Sequence, residues 1–263
     1  MQRLLRFEFV RLIRSGVVAM TIALILAIGI LGMVLDYVCY SNNSPMASMI
    51  SIYKAYTQFT YLILGFVFIQ TFTKDYERGV NNFYIQQGYN MIDFYVSKFI
   101  LLVLLTLPVI DTLLIAANIL YNNSNVMFLA EMIIIVDLSI VYIILLSMAI
   151  SILTRKVVQA VLIFYGFFIL FNIGNLFLLG LFNPADVNSF SAYLLNLMAN
   201  QNVTHYSLDG INLGSIQHKT IISVVIPLLD SIIILLVDVL LLNNKSIDSQ
   251  TKKYRVNVVK LLR

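Results

Sequence analysis

The sequence predicts an all-α, polytopic membrane protein with six transmembrane helices, an N-terminal interfacial amphipathic helix and both termini in the cytoplasm. Three observations carry this. Of the 263 residues, 60% are hydrophobic and only 11% are charged, against about 25% charged in a soluble domain; the mean hydropathy is +0.90. The apolar residues fall in runs, and Ser15–Leu35, Phe99–Tyr121 and Ile221–Leu242 are each long enough to cross a hydrocarbon core of about 30 Å. Fifteen of the seventeen Lys and Arg residues fall on one side of the spans these runs imply. A soluble enzyme, a nucleic-acid-binding domain and a disulfide scaffold all fit this arithmetic poorly, and Cys39 is the single cysteine.

The elements follow in chain order. In residues 1–14, Leu5, Phe9, Leu12 and Ile13 share one helical face, while Arg3, Arg6, Arg11 and Arg14 occupy the opposite arc. A helix of this kind lies among the lipid headgroups with its arginines on anionic lipid. Basic residues before an apolar run also mark signal peptides. This run is too long and no small-x-small site closes it, so it reads as an uncleaved first span. Spans are expected at about 15–35, 55–73, 99–121, 127–149, 158–181 and 220–242. Polar stretches separate them, such as Asn42-Asn43-Ser44-Pro45 and Asn122-Asn123-Ser124-Asn125. The second span is the most polar, with Lys54 at its edge and Gln58 and Gln70 within it. Together they form a single transmembrane domain over 1–263, with a cytoplasmic segment at 74–98 and a basic cytoplasmic tail at 243–263.

Orientation comes from the basic residues. Those of the N-terminus, of the 74–98 segment, of the Arg155-Lys156 connection and of the C-terminal tail share one side, and only Lys54 and Lys219 fall on the other. Both termini are therefore cytoplasmic, in a multi-pass protein of the cell membrane.

The cytoplasmic stretch after the second span reads TKDYERGVNNFYIQQGYNMIDFYVSKFILLVLL. Gly79 and Gly88 punctuate it, and Gly88 permits a turn with positive φ. From Asn90 to Lys98, Met91, Ile92, Tyr95 and Val96 make a short apolar stripe beside Asp93 and Ser97. A short amphipathic helix of this kind can lie in a groove of another protein or rest on the bilayer. The stretch resembles the corresponding segment of ABC-2 type transporter permeases, the membrane subunits of many ATP-driven exporters. Without gaps, Glu77 and Gly79 fall on that family's acidic residue and glycine, Tyr84 and Ile85 on its apolar pair, Asp93 on a frequent acid and Lys98 on the lysine that opens the third span. Val80, Gly88 and Asn90-Met91 depart from the family's threonine, proline and Ser-Arg. LSMAISILTRKVVQA, from Leu146 to Ala160, is a second and weaker match. The resemblance implies a coupling helix that receives the motion of cytoplasmic ABC ATPase subunits. It assigns that contact to Glu77, Gly79, Gly88, Met91, Ile92, Asp93, Tyr95 and Lys98. It also implies a second permease subunit, identical or paralogous.

The chain has no G-x-x-x-x-G-K-[ST], so it cannot cradle nucleotide phosphates by itself. No catalytic residue and no resident cofactor is expected, and ATP and Mg would belong to the partner. His205 and His218 read as solvated loop residues, not metal ligands. The loop 182–219 contains a short apolar stretch, Ser191–Ala199, suited to the membrane surface. Nucleic acid is not an expected partner, whereas membrane lipid is.

Asp111, Glu131, Asp137, Asp230 and Asp238 lie within expected spans. An acid at the bilayer centre costs about 2.5–3.5 kcal/mol on insertion scales, so such residues usually face the bundle interior. Asp111, Asp137 and Asp230 fall about 15–18 Å into their spans at 1.5 Å per residue, near the midplane. They either line a pathway that attracts a cationic group or stay protonated and hydrogen-bonded between helices. Pro108 and Pro227 each precede one of these acids by three residues, and proline frees backbone carbonyls in a membrane helix. The reading from sequence is thus the permease subunit of an ATP-driven exporter of an amphipathic peptide, drug or lipid-like substrate. A proton- or cation-coupled carrier and a non-transporting anchor or sensor subunit are the alternatives.

Overall fold

The computed structural model describes residues 2–39, 45–122, 126–154, 156–166, 228 and 231–242. Within them the fold is helical throughout: α1 (Gln2–Arg14), α2 (Val17–Cys39), α3 (Pro45–Phe59), a π-helical turn (Thr60–Leu64), α4 (Gly65–Glu77), α5 (Val80–Gln86), α6 (Met91–Leu120) and α7 (Val126–Thr154). Two shorter apolar helices follow, α8 (Val157–Gly166) and α9 (Ser231–Leu242). Among the described residues there is no strand. Three stretches are long and apolar enough to cross a membrane: Val17–Val38, Met91–Leu120 and Met132–Thr154. The expected spans at 158–181 and 220–242 are described only in part, through α8 and α9. The 182–219 loop and the 243–263 tail lie outside the described residues.

α7 is central. It packs along α4 and α6, while α2 lies against α3 and α6, and α1 rests on α6 and α2. Several polar side chains inside the bundle pair at short range, as a low-dielectric interior favours. Thr73 Oγ1 donates to Ser151 Oγ at 2.7 Å, joining α4 to α7, and Ser151 Oγ donates to the Ser147 carbonyl at 2.6 Å. At the other end of the bundle, Tyr121 after α6 lies beside Asp36 on α2.

Helix boundaries differ from the sequence expectation where polar residues are absorbed by protein instead of lipid. α6 begins at Met91, eight residues before the expected third span, because Ser97 and Lys98 are buried against neighbouring helices. The second span is not one helix. α3 starts at Pro45 and is joined to α4 through the π-helical turn. There the ring of Phe164 stacks on Tyr61 at 4.5 Å, and the Tyr165 hydroxyl donates to the Leu62 carbonyl. A π turn leaves backbone groups off the regular ladder, and Tyr165 satisfies one of them. α1 also differs: its inward face is Leu4, Glu8 and Leu12, whereas Phe9 and Ile13 are exposed.

Close helix contact in α2–α3 depends on one residue. A Cβ at Gly32 would stand 2.8 Å from the Ile52 Cα, which is backbone and cannot swing away. Small residues at such crossings let two backbones approach. Gly32→Ala should therefore lower the melting temperature of the detergent-solubilised protein, with a cost of about 1–3 kcal/mol from overpacking. Gly166→Ala, with nothing within 4 Å, should be neutral or slightly stabilising. Equal melting temperatures for the two variants would refute the packing assignment.

Candidate functional site

The segment that leaves α4 and enters α6 is shaped by two glycines. Gly79 and Gly88 adopt φ of 71° and 84°, a region that costs other residues about 1–2 kcal/mol. The first ends α4 and starts α5, and the second ends α5. The result is a seven-residue helix, Val80–Gln86, set off on both sides at one end of the bundle. Tyr84 points inward, while Phe83 is 53% exposed and Gln86 and Gln87 are exposed.

Beneath α5 lies a buried charge cluster drawn from four helices. The Lys98 side chain on α6 is 0% exposed. Its Nζ donates to the Asp75 carboxylate on α4 and to the Thr71 carbonyl at 2.9 Å, and it stands 4.4 Å from the centre of the Phe94 ring. The same Asp75 oxygen accepts from Arg11 of α1. Arg11 Nη2 also donates to Glu8 Oε2 at 2.7 Å, and Glu8 accepts the Tyr84 hydroxyl of α5. Two cations and two carboxylates balance, so the cluster is neutral, which is what burial demands of charged groups.

The electrostatics agree with the geometry. Burial opposes the charge on Asp75, but Lys98 and Arg11 outweigh it and hold the carboxyl below the usual range. Burial also opposes the Arg11 charge, yet Asp75 and Glu8 raise its pKa above the ordinary value. Burial and the hydrogen bond to Glu8 push the Tyr84 phenol up. A hinge built this way is stiff, because moving any one helix uncovers an unpaired charge.

The residues assigned to partner coupling fall into two groups. Glu77, Gly79 and Gly88 border α5, with Glu77 and Gly88 exposed. Met91, Tyr95 and Lys98 are buried within the chain, and Ile92 and Asp93 are half-buried. The stripe read as a short amphipathic helix is instead the first two turns of α6, packed on the chain's own core; the separate short helix is α5. Sequence reasoning gave no role to Glu8, Arg11, Asp75 or Tyr84 as a group. One signal for it is a lone acid, Glu8, spaced four residues from both Leu4 and Leu12.

The midplane acids are partly joined. Asp111 on α6 and Asp137 on α7 lie close enough for their carboxyl groups to interact, and the buried Oδ1 of each has no hydrogen-bond partner among the described residues. Two neighbouring carboxyls titrate as a pair, not as independent groups. Asp230 lies outside the described residues. Asp238 is fully buried on α9, and among the described residues neither of its carboxyl oxygens has a hydrogen-bond partner.

Removing the shared carboxylate should damage the cluster most. Asp75→Asn leaves Lys98 buried without a full counter-charge, a loss of about 3–5 kcal/mol, while Lys98→Met leaves the Asp75–Arg11 pair and should cost less. The folded pKa of Asp75 lies below its ordinary 3.8. Its contribution is therefore fully present above that value and is lost as pH falls through the folded pKa. Melting temperatures of wild type and Asp75→Asn measured against pH check this: the gap should be constant above pH about 5 and close on further acidification.

The charge cluster and the short α5 are carried by helices of which three stretches are long and apolar enough to cross a membrane. No curated protein and no solved structure matches the chain. A family model does match, over residues 5–248, and its description is peptide export permease protein YydJ family. The match takes in every described helix except part of α1, and the chain belongs to the peptide export permease protein YydJ family.

Proposed function

We propose that the chain is the permease subunit of an ATP-driven exporter of a peptide, with six spans and both termini cytoplasmic. It works with cytoplasmic ATPase subunits and a second permease subunit, identical or paralogous. The family supports the permease role and the peptide as cargo. The observation that carries the coupling mechanism is the Glu8–Tyr84 bond beneath an exposed Phe83. A helix touched from outside at Phe83 is tied from inside to the charge cluster. Glu77, Gly79 and Gly88 border the contact surface. Met91, Ile92, Asp93, Tyr95 and Lys98 transmit force from it into α6.

In this mechanism ATP bound by the partner drives closure of the ATPase subunits. The chain's own part is not catalytic. Pressure on α5 moves the cluster as a unit, because Asp75 holds α4, α6 and α1 together. α4 and α6 both pack on α7, so their displacement re-packs the helices around Asp111 and Asp137 and opens an outward path. The carboxyl pair also favours a second reading, a proton-coupled carrier in which a proton moves with each cycle and no ATPase is needed.

Co-purification separates the two. Phe83→Ser, which touches little of the core, should weaken ATPase capture: an aromatic anchor contributes about 2 kcal/mol or more, roughly thirtyfold in affinity. Absence of any ATPase from the native protein in mild detergent would overturn the ATP-driven reading and favour the carrier.

Orientation is checked by single cysteines in a Cys39→Ser background. Asn123→Cys and Asn212→Cys should react with an impermeant thiol reagent in intact cells, and Asn82→Cys and Ser249→Cys should not. Labelling of Asn82→Cys from outside would overturn the proposed topology.

A further inference from the structure

A cavity of about 370 Å³ lies in the crook between the Ser15–Gly16 elbow, the start of α2 and the end of α4. This is within the usual volume range of small-ligand pockets. Its lining mixes two chemistries: Val17, Met20 and Val67 are apolar, and Gln70, Lys74 and Arg78 are polar or basic. Arg11 and Asp75 also reach the cavity, but each is held within the neutral charge cluster. Lys74 and Arg78 are exposed and form no ion pair among the described residues. The cavity therefore carries two uncompensated positive charges together with an apolar lining. It sits where α2, long and apolar enough to cross a membrane, begins, and the start of a membrane span lies at the level of the lipid headgroups.

We propose that this cavity is a binding site for the phosphate headgroup of an anionic phospholipid, with Lys74 and Arg78 as its charged ligands and Gln70 as a neutral donor. The shared chemistry is a phosphate anion. The apolar lining at Val17, Met20 and Val67 selects the lipid over a free phosphate, because it gives the glycerol and first acyl carbons a surface to cover. Basic pockets between membrane helices hold headgroups in this manner. A lipid seated there touches both α1 and α4, the two helices that Arg11 and Asp75 already join. It therefore braces the cluster from its membrane side, whatever the chain transports.

The test is lipid retention by the full-length protein in detergent, read by native mass spectrometry together with melting temperature. The probes are phosphatidylglycerol, phosphatidylcholine and soluble glycerol phosphate. Phosphatidylglycerol should be retained and should raise the melting temperature, and the other two should do neither. Lys74→Gln with Arg78→Gln should weaken retention roughly thirtyfold, from the attraction of two basic residues to an anionic headgroup. Gln70→Glu, which leaves both cations in place and adds a negative charge, should weaken it independently. The charge-matched tail variant Lys252→Gln with Lys253→Gln should retain phosphatidylglycerol as wild type does. Equal loss in the tail variant would reduce the effect to general attraction and overturn the site. Retention of phosphatidylcholine at the level of phosphatidylglycerol would overturn the charge selection. Stabilisation by glycerol phosphate alone would overturn the lipid as its source.

Discussion

A single carboxylate, Asp75, organises the end of the bundle on which everything else depends. One of its oxygens takes both Lys98 from α6 and Arg11 from α1. Neither cation could be buried alone, since an uncompensated charge in a low-dielectric interior costs several kcal/mol. The pairing therefore decides the path of the chain. α1 must fold back onto α6, and α6 can begin eight residues earlier than its lipid-compatible stretch. α5 is pinned through Tyr84 and Glu8. A set of apolar helices would otherwise slide with little penalty, because lipid solvates their side chains as well as protein does.

The π-helical turn plays the complementary part. It inserts an extra residue between α3 and α4, and so rotates the α4 face by the arc of one residue, about 100°. α4 can then present Thr73 to Ser151 and Asp75 to Lys98 while α3 keeps Tyr56 on α2, where its hydroxyl donates to the Ile25 carbonyl at 3.3 Å. One half of the stretch is committed to α2 and the other to α7. Rigidity at the charge cluster and irregularity at Thr60–Leu64 thus lie within one stretch of chain, about one helix length apart.

Much of this was legible in the sequence, and the limits have physical causes. Hydropathy finds α2, α6 and α7 because each is a long uninterrupted apolar run, mostly outward-facing in α2 and α6 and mostly buried within the bundle in α7. It places their ends poorly wherever protein takes the place of lipid, as at Ser97 and Lys98. The amphipathic face of α1 was read as Leu5, Phe9, Leu12 and Ile13, the face a bilayer would choose. The protein chooses Leu4, Glu8 and Leu12 instead, and Phe9 and Ile13 remain outside. α1 therefore serves two apolar environments, which a single-face reading cannot represent. Asp75 was hidden for a different reason. Its partners lie 64 and 23 residues away, and a charge beside Lys74, Glu77 and Arg78 looks solvated in one dimension. The sequence marks Asp111 and Asp137 as midplane acids, but their approach to each other depends on the register of α6 against α7, which periodicity does not encode.

The charge cluster also bears on how the protein is made. Membrane helices are inserted as the chain emerges, N-terminus first, and a lysine that is to end up beneath the membrane surface needs its counter-charge at hand. Glu8, Arg11 and Asp75 all precede Lys98 in the chain. By the time Lys98 is synthesised, the acceptor that neutralises it already exists, 23 residues upstream. The basic helix α1 can wait at the membrane surface, held by its remaining exposed arginines, Arg6 and Arg14. It closes over the pair once α6 arrives. The order of residues along the chain thus spares the growing protein a stage in which Lys98 is placed without an acceptor.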